Sequence, residues 1–233
     1  MSGTASGRDA ADRGAPRLER ADQLYGRLLA SIAAGDAVGD ARLRLGDGRT
    51  SRLALERWLA PVDRADRAAL TLALDPVLDI GCGPGRHVAA LAASGRVALG
   101  IDLSPAAVRI ARERGADAIL RDVFADVPRK GWWGSALLLD GNIGIGSRPQ
   151  TLLARAAALV RPGGAVVVET GPPHQPLQRR RVRLEAGGTV SPWFGWATVG
   201  ARALTPLAHA AGLRRGQVVA CGDRWFVRLE RPR

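Results

Sequence analysis

The sequence predicts an α/β domain wound on both faces of a mostly parallel sheet, and three observations predict it. Short apolar runs recur between helical stretches, as in PVLDI from Pro76, RVALGID from Arg96 and AVVVE from Ala165. Such runs, apolar on both faces, suit strands covered on each side by helices. A glycine loop, GCGPG from Gly81 to Gly85, stands between the first of these runs and a helix. The alternation of strand and helix at this spacing implies right-handed crossovers.

The elements follow in order. Residues 1–16 are small, polar and Gly-rich, which predicts a disordered tail. Leu24, Leu28, Leu29 and Ile32 fall on one face of a helix over 18–34, which Gly35 ends. The stretch 41–55 alternates around Gly46-Asp47-Gly48 and reads as a hairpin. A helix over 63–74 leads to the core, so 17–75 form a helical cap and lead-in, and 76–233 the core.

Within the core, strands are expected at 76–80, 96–102, up to Leu120, up to Asp140 and at 165–169. Ser104 followed by Pro105 is an N-cap with proline at the first helical position. A helix over 150–160 ends before the turn Pro162-Gly163-Gly164. The segment 171–200 breaks the rhythm and reads as an insertion. It holds two strands joined near Gly187-Gly188, with Trp193, Phe194 and Trp196 clustered. After a helix over 201–211, two strands joined near Gly222-Asp223 form an antiparallel C-terminal pair and complete a seven-stranded sheet.

The chain has 233 residues, a formal net charge of +12 and one lysine, Lys130. So basic a balance can mean a polyanionic partner. The arginines are scattered, however, and the one dense run is Arg179, Arg180, Arg181 and Arg183. The two cysteines, Cys82 and Cys221, have neither metal-ligand nor disulfide-framework spacing, and no metal site is expected. No apolar segment reaches membrane-spanning length, and no signal core is visible. A cytoplasmic protein is the expectation.

The chemistry concentrates in VLDIGCGPGRH, from Val77 to His87. A glycine loop opening a helix directs backbone N–H groups and the positive end of the helix dipole at a ligand. Asp79 stands just before the loop. Asp102, at the end of the next strand, is placed to bind two ribose hydroxyls. In a nicotinamide-binding GxGxxG loop the third glycine would fall at Arg86.

The stretch 77–168 resembles the class I, seven-stranded, Rossmann-like methyltransferases that use S-adenosylmethionine. The motifs that carry the resemblance are DIGCGPG, GIDLS, RDVF, LLDGNIGIG and LVRPGGAVVVE, in that order. The resemblance implies S-adenosylmethionine as cofactor. It sets Gly81, Cys82, Gly83 and Gly85 against the methionine portion and Asp79 near its ammonium. Asp102 would hold the ribose, Leu103 would pack on the adenine, and Asp122 and Val123 would meet the adenine edge. Asp140 and Asn142 would face the reacting centre.

Methyl transfer from a sulfonium is an in-line displacement, so alignment and exclusion of water are the main tasks. Of three histidines, His174 after the fifth strand is the best candidate base, while His87 and His209 suit packing roles. Relatives that methylate base amines or glutamine amides carry Asn/Asp-Pro-Pro-aromatic after strand four. Here that place reads DGNI, and Gly171-Pro172-Pro173-His174 comes one strand later. The expected acceptor is therefore a small molecule under a lid made by the N-terminal region and the insertion. The alternatives are an RNA or protein methyltransferase docking on Arg179–Arg183, and a silent cofactor-binding module. Specific nucleic-acid binding and membrane association are not expected, and a homodimer is left open.

Overall fold

The computed structural model describes residues 16–233, so nearly all of the expected tail lies outside the described residues. The N-terminal region holds β1 (Arg17–Leu18), α1 (Ala21–Ala33), β2 (Arg42–Leu45), β3 (Thr50–Arg52), α2 (Leu55–Leu59) and α3 (Arg64–Leu70). Helix α1 starts later than its periodicity suggests, because Arg17 and Leu18 are drawn into pairing with Thr189 and Val190. Asp63 and Asp66 cap α3 reciprocally, side chain to backbone N–H in each direction.

The core runs β4 (Val77–Ile80), α4 (Arg86–Ala93), β5 (Ala98–Asp102), α5 (Pro105–Glu113), β6 (Ala118–Leu120), β7 (Trp133–Leu138), α6 (Pro149–Leu159) and β8 (Val160–Thr170). The insertion supplies β9 (Gln178–Ala186), β10 (Thr189–Val190) and β11 (Phe194–Thr198). The chain closes with α7 (Ala201–Ala210), β12 (Arg214–Cys221) and β13 (Arg224–Glu230). The large sheet has seven strands in the order β12-β13-β8-β7-β4-β5-β6. Five are mutually parallel, and β13 runs antiparallel to β8 and to β12. The seven-stranded, mostly parallel architecture is the one the sequence predicts.

Alternate residues of its central strands feed two cores. Leu78, Ile80, Ala136, Leu138, Val166 and Val168 pack with Leu152, Leu153 and Leu204 of α6 and α7. Val77, Leu137, Val167 and Phe226 pack with Leu70 and Leu91 of α3 and α4. Burying both faces explains why these strands read as unbroken apolar runs. The Pro162-Gly163-Gly164 segment lies inside β8, where the register with β7 skips between Trp133↔Val160 and Ser135↔Ala165.

A second, six-stranded sheet unites the two ends of the chain. Strand β9 pairs with β2 on one edge and with β11 and then β10 on the other. The hairpin expected at 41–55 is β2 and β3, and the insertion has three strands rather than two because the aromatic stretch from Phe194 also returns along β9. Helix α1 joins this sheet to the core through Leu24, Leu28 and Leu29, which meet Leu184 of β9 and Ile110 of α5. Gly26 permits the approach, since a β-carbon there would stand 2.5 Å from Ser104 Oγ.

Candidate active site

The strands β4, β5 and β7 end side by side, and the loops that leave them build the site. The glycine loop leaves β4 with Gly81 at φ +74° and Gly83 at φ +53°, a backbone region that side chains rarely adopt. A β-carbon at Gly81 would lie 2.7 Å from Asn142 Nδ2, and one at Gly83 would lie 2.8 Å from the Tyr25 hydroxyl. Asn142 Nδ2 donates to the carbonyls of Ile80 and Gly81, both at 2.9 Å. Asn142 thus fixes the loop that follows the neighbouring strand.

Asp79 is 1% exposed, and neither of its carboxylate oxygens has a hydrogen-bond partner. His87 Nδ1 stands 3.5 Å from Oδ2, within ion-pair reach but without hydrogen-bonding geometry. A buried carboxylate with four unused acceptor sites is costly unless a cationic donor arrives. Asp102 accepts from the backbone N–H of Gly83 at 2.9 Å and of Ser104 at 2.8 Å. Burial pushes its pKa up against the pull of those bonds.

Beyond Asp102 the surface turns apolar. Leu103 is 55% and Phe124 44% exposed, on the loops after β5 and β6. Asp122 is exposed and accepts from the Phe124 N–H at 2.9 Å, and Val123 is buried in the core. The Cys82 side chain packs away from this surface, over Gly100. Burial, with Asp79 and Asp102 nearby, pushes its thiol pKa far up and makes it a poor nucleophile.

Asp140 is bound into an ion network. Arg86 NH2 donates to both of its oxygens at 2.9 and 2.8 Å, and Arg57 donates to it at 3.1 Å. Arg86 also pairs with the fully buried Asp66, which accepts from Arg224 at 2.7 Å. Arg224 closes the circle on Glu169 at 2.7 and 2.8 Å, and Glu169 accepts from the Asp140 backbone N–H at 2.7 Å. Burial opposes the charge of Asp66, but bonds from His87, Arg224 and the Asp63 N–H hold its carboxyl well below the usual range. Burial likewise opposes a charge on His87, yet Asp66 and Asp79 outweigh it and raise its pKa to about 9. His87 is therefore a buried cation at neutral pH.

The structure thus brings Asp79, Gly81, Gly83, Asp102, Asp140 and Asn142 to one edge. His174 is exposed on the turn between β8 and β9, which leaves the same end of the sheet. Sequence reading missed Tyr25, half-buried over Gly83 with its ring edge-on to Trp58 at 5.8 Å. Burial, then Asp102, Cys82 and Asp140, push its hydroxyl pKa well up. It also missed Arg57, Asp66, Glu169 and Arg224. The departure from glycine at Arg86 was the one available signal of the network.

Residues 77–164 match the family model described as "Methyltransferase domain". Among solved structures, a SAM-dependent methyltransferase from Bacteroides fragilis in complex with S-adenosyl-L-homocysteine is similar at a TM-score of 0.78 and 20% identity, over 94% of this chain and 99% of that one. The CcbJ methyltransferase from Streptomyces caelestis is similar at 0.59 and 17%, over 91% and 98% of the two chains. The 1,6-didemethyltoxoflavin-N1-methyltransferase from Burkholderia thailandensis is similar at 0.56 and 18%, over 90% and 88%. No curated protein matches in sequence.

Sheet order and glycine loop define a Rossmann-like fold with acids at the strand ends. With the match over 77–164, they make the chain similar to the S-adenosylmethionine-dependent methyltransferases.

The residues present fit that cofactor. Asp79 offers a buried carboxylate with no hydrogen-bond partner to an ammonium, and a side chain at Gly81 or Gly83 would fill the cradle. Asp102, with Leu103 and Phe124 exposed beside it, offers an acceptor and apolar surface to a nucleoside.

Proposed function

We propose that the protein transfers a methyl group from S-adenosylmethionine to a small-molecule acceptor held beneath the second sheet. The observation that carries this reading is the seating of β11 on the turn Asn142–Ser147, which leaves the end of β7. A β-carbon on Gly144 would meet Trp196 Nε1 at 2.5 Å, and one on Gly195 would meet Ser147 Cβ at 2.7 Å. The second sheet therefore roofs the strand edge that carries Asp140, and a roofed edge suits a compact acceptor better than a polymer.

When bound, the cofactor supplies an activated methyl group on sulfur. The chain's own work is binding, orientation and exclusion of water. Asp79 takes the ammonium and Asp102 the ribose hydroxyls, while Leu103, Asp122 and the backbone of Val123, whose side chain lies in the core, border the adenine. Asn142 holds the loop in register. Asp140 is committed to Arg86 and Arg57, so its part is to fix the edge rather than to take a proton. His174 is the candidate base for acceptors that must lose a proton to react. A neutral amine needs none before transfer.

The arginine run supports the small-molecule reading over RNA docking. Arg179 donates to the Ser147 carbonyl at 3.2 Å, Arg183 pairs with Glu185 and lies 4.9 Å over Trp193, and Arg181 lies 6.0 Å over the same ring. Among the described residues no helix is long and apolar enough to cross a membrane. The toxoflavin-precursor complex and a sugar N-methyltransferase are similar folds whose acceptors are small molecules, which agrees with this reading.

The test has two arms. Calorimetry should show binding of S-adenosylmethionine and S-adenosylhomocysteine and none of nicotinamide dinucleotides. Methyl-labelled cofactor, incubated with small-molecule extract and separately with RNA and protein at physiological salt, should label only the first. Label in RNA or protein would overturn the acceptor class. Cofactor binding with no label in any fraction would point to a silent module.

A further inference from the structure

The inner face of the second sheet continues past its contact with α1 into an open cleft of ≈ 370 Å³. That is the lower end of the range for small-molecule sites. Its apolar part is Leu43, Leu45, Val182 and the half-buried indole of Trp196. Cross-strand register puts these on one face, since Leu45 faces Val182 and Trp196 faces Arg180. Trp196 also ties the cleft to the catalytic edge, because it lies against Gly144 on the turn that follows Asp140.

One end of the cleft is charged. Arg49 and Arg180 both line it, and both pair with the same carboxylate oxygen, Asp47 Oδ2, at 2.8 and 3.0 Å. Two guanidiniums on one carboxylate leave a net positive charge beside an apolar wall. The second side-chain nitrogen of Arg180 is held by Gln178 Oε1 at 2.8 Å, which fixes its orientation. A planar guanidinium so oriented suits a carboxylate on the ligand. Flat apolar surface such as Trp196 suits a ring.

We infer that this cleft is the acceptor site and that it selects a ring-bearing carboxylate, with the ring against Trp196 and the anion at Arg180 and Arg49. The inference rests on the small-molecule reading above and narrows it to an anionic acceptor class. The sign of the charge argues against cationic amino sugars, which the same end would repel.

The experiment uses two probes of equal shape, 2-naphthoate and 2-naphthamide, titrated calorimetrically into the full chain saturated with S-adenosylhomocysteine. The carboxylate should bind at least tenfold more tightly than the amide at low salt. Arg49→Gln/Arg180→Gln should abolish that preference and leave S-adenosylhomocysteine affinity unchanged, with circular dichroism confirming the fold. Trp196→Ala should weaken both probes together. Equal affinity for the two probes, binding of neither, or a preference that survives in the double variant would overturn the inference. Failure of S-adenosylhomocysteine to bind the unaltered chain would instead overturn the methyltransferase reading, so the two failures are distinct.

Discussion

His87 Nδ1 stands 3.5 Å from Asp79 Oδ2 while its Nε2 stands 3.5 Å from Asp66 Oδ1, so one imidazolium bridges the carboxylate before the glycine loop and the buried ion network. This relationship has a pH signature. The folded-state pKa, about 9, exceeds the ordinary value of 6.5. The stabilisation is thus complete below pH 6.5 and is lost as pH rises through about 9. Denaturant titrations from pH 6 to pH 10 should show stability falling across that window. In His87→Gln that component should be gone. A fall of equal size in the variant would assign the loss to other groups.

Asp79→Asn should weaken S-adenosylhomocysteine binding at least tenfold. A charge-assisted hydrogen bond contributes roughly 1.5–3 kcal/mol, and about 1.4 kcal/mol is a factor of ten. The apo fold should survive, because neither oxygen of Asp79 is hydrogen-bonded within the chain and Asp66 still faces His87. Unchanged affinity in a folded variant would show that the ammonium is held elsewhere.

Asp102→Ala should also cost about tenfold or more in affinity, by the same reasoning. Here a stability loss accompanies it, since Asp102 ties the Gly83 and Ser104 backbones together. Calorimetry and a melting curve on the same sample separate the two effects. Full affinity would leave Asp102 with only that tie.

Arg86→Met should destabilise the fold by about 3–5 kcal/mol, the usual cost of breaking one side of a buried ion pair. Asp66 and Asp140 would each lose a guanidinium partner in a site that Arg86 fills at 3% side-chain exposure. Chemical denaturation measures this directly. A change below about 1 kcal/mol, the scale of exposed pairs, would mean that Arg57 and Arg224 compensate.

Gly83→Ala should impair cofactor binding by displacing the cap. The new methyl group would sit 2.8 Å from the Tyr25 hydroxyl and on a residue at φ +53°. Strain of this kind costs on the order of 1–3 kcal/mol. Cofactor affinity and Trp58 fluorescence should change together, because Trp58 packs on Tyr25. Wild-type affinity and fluorescence would show that the cap is free to shift.

The large sheet and the glycine loop were legible because local signals carry them. Val77 to Asp102 contains a complete strand-loop-helix-strand unit whose glycines and acids have fixed spacing. The second sheet was not legible, since its pairing of Leu43 with Leu184 spans most of the chain and periodicity reports only near neighbours. The ion network hid for a similar reason. Asp66, Arg86, Asp140, Glu169 and Arg224 come from five separate elements or loops, and nothing local marks any of them as partners. Asp140 and Asn142 were expected at the reacting centre. Their side chains are engaged with Arg86 and with the Ile80 and Gly81 carbonyls, contacts that no motif encodes.

The roof over the site is also an ordering device in time. Arg44 of the hairpin finds Glu185 only 141 residues later. At a synthesis rate of roughly 5–20 residues per second, the hairpin waits about seven seconds or more for its partner strand. Meanwhile its unpaired edge carries Arg42 and Arg44, charges of the kind that discourage a strand from joining another nascent chain. The parallel strands from Val77 to Thr170 are all made before β9 emerges, so the floor of the active site precedes its ceiling.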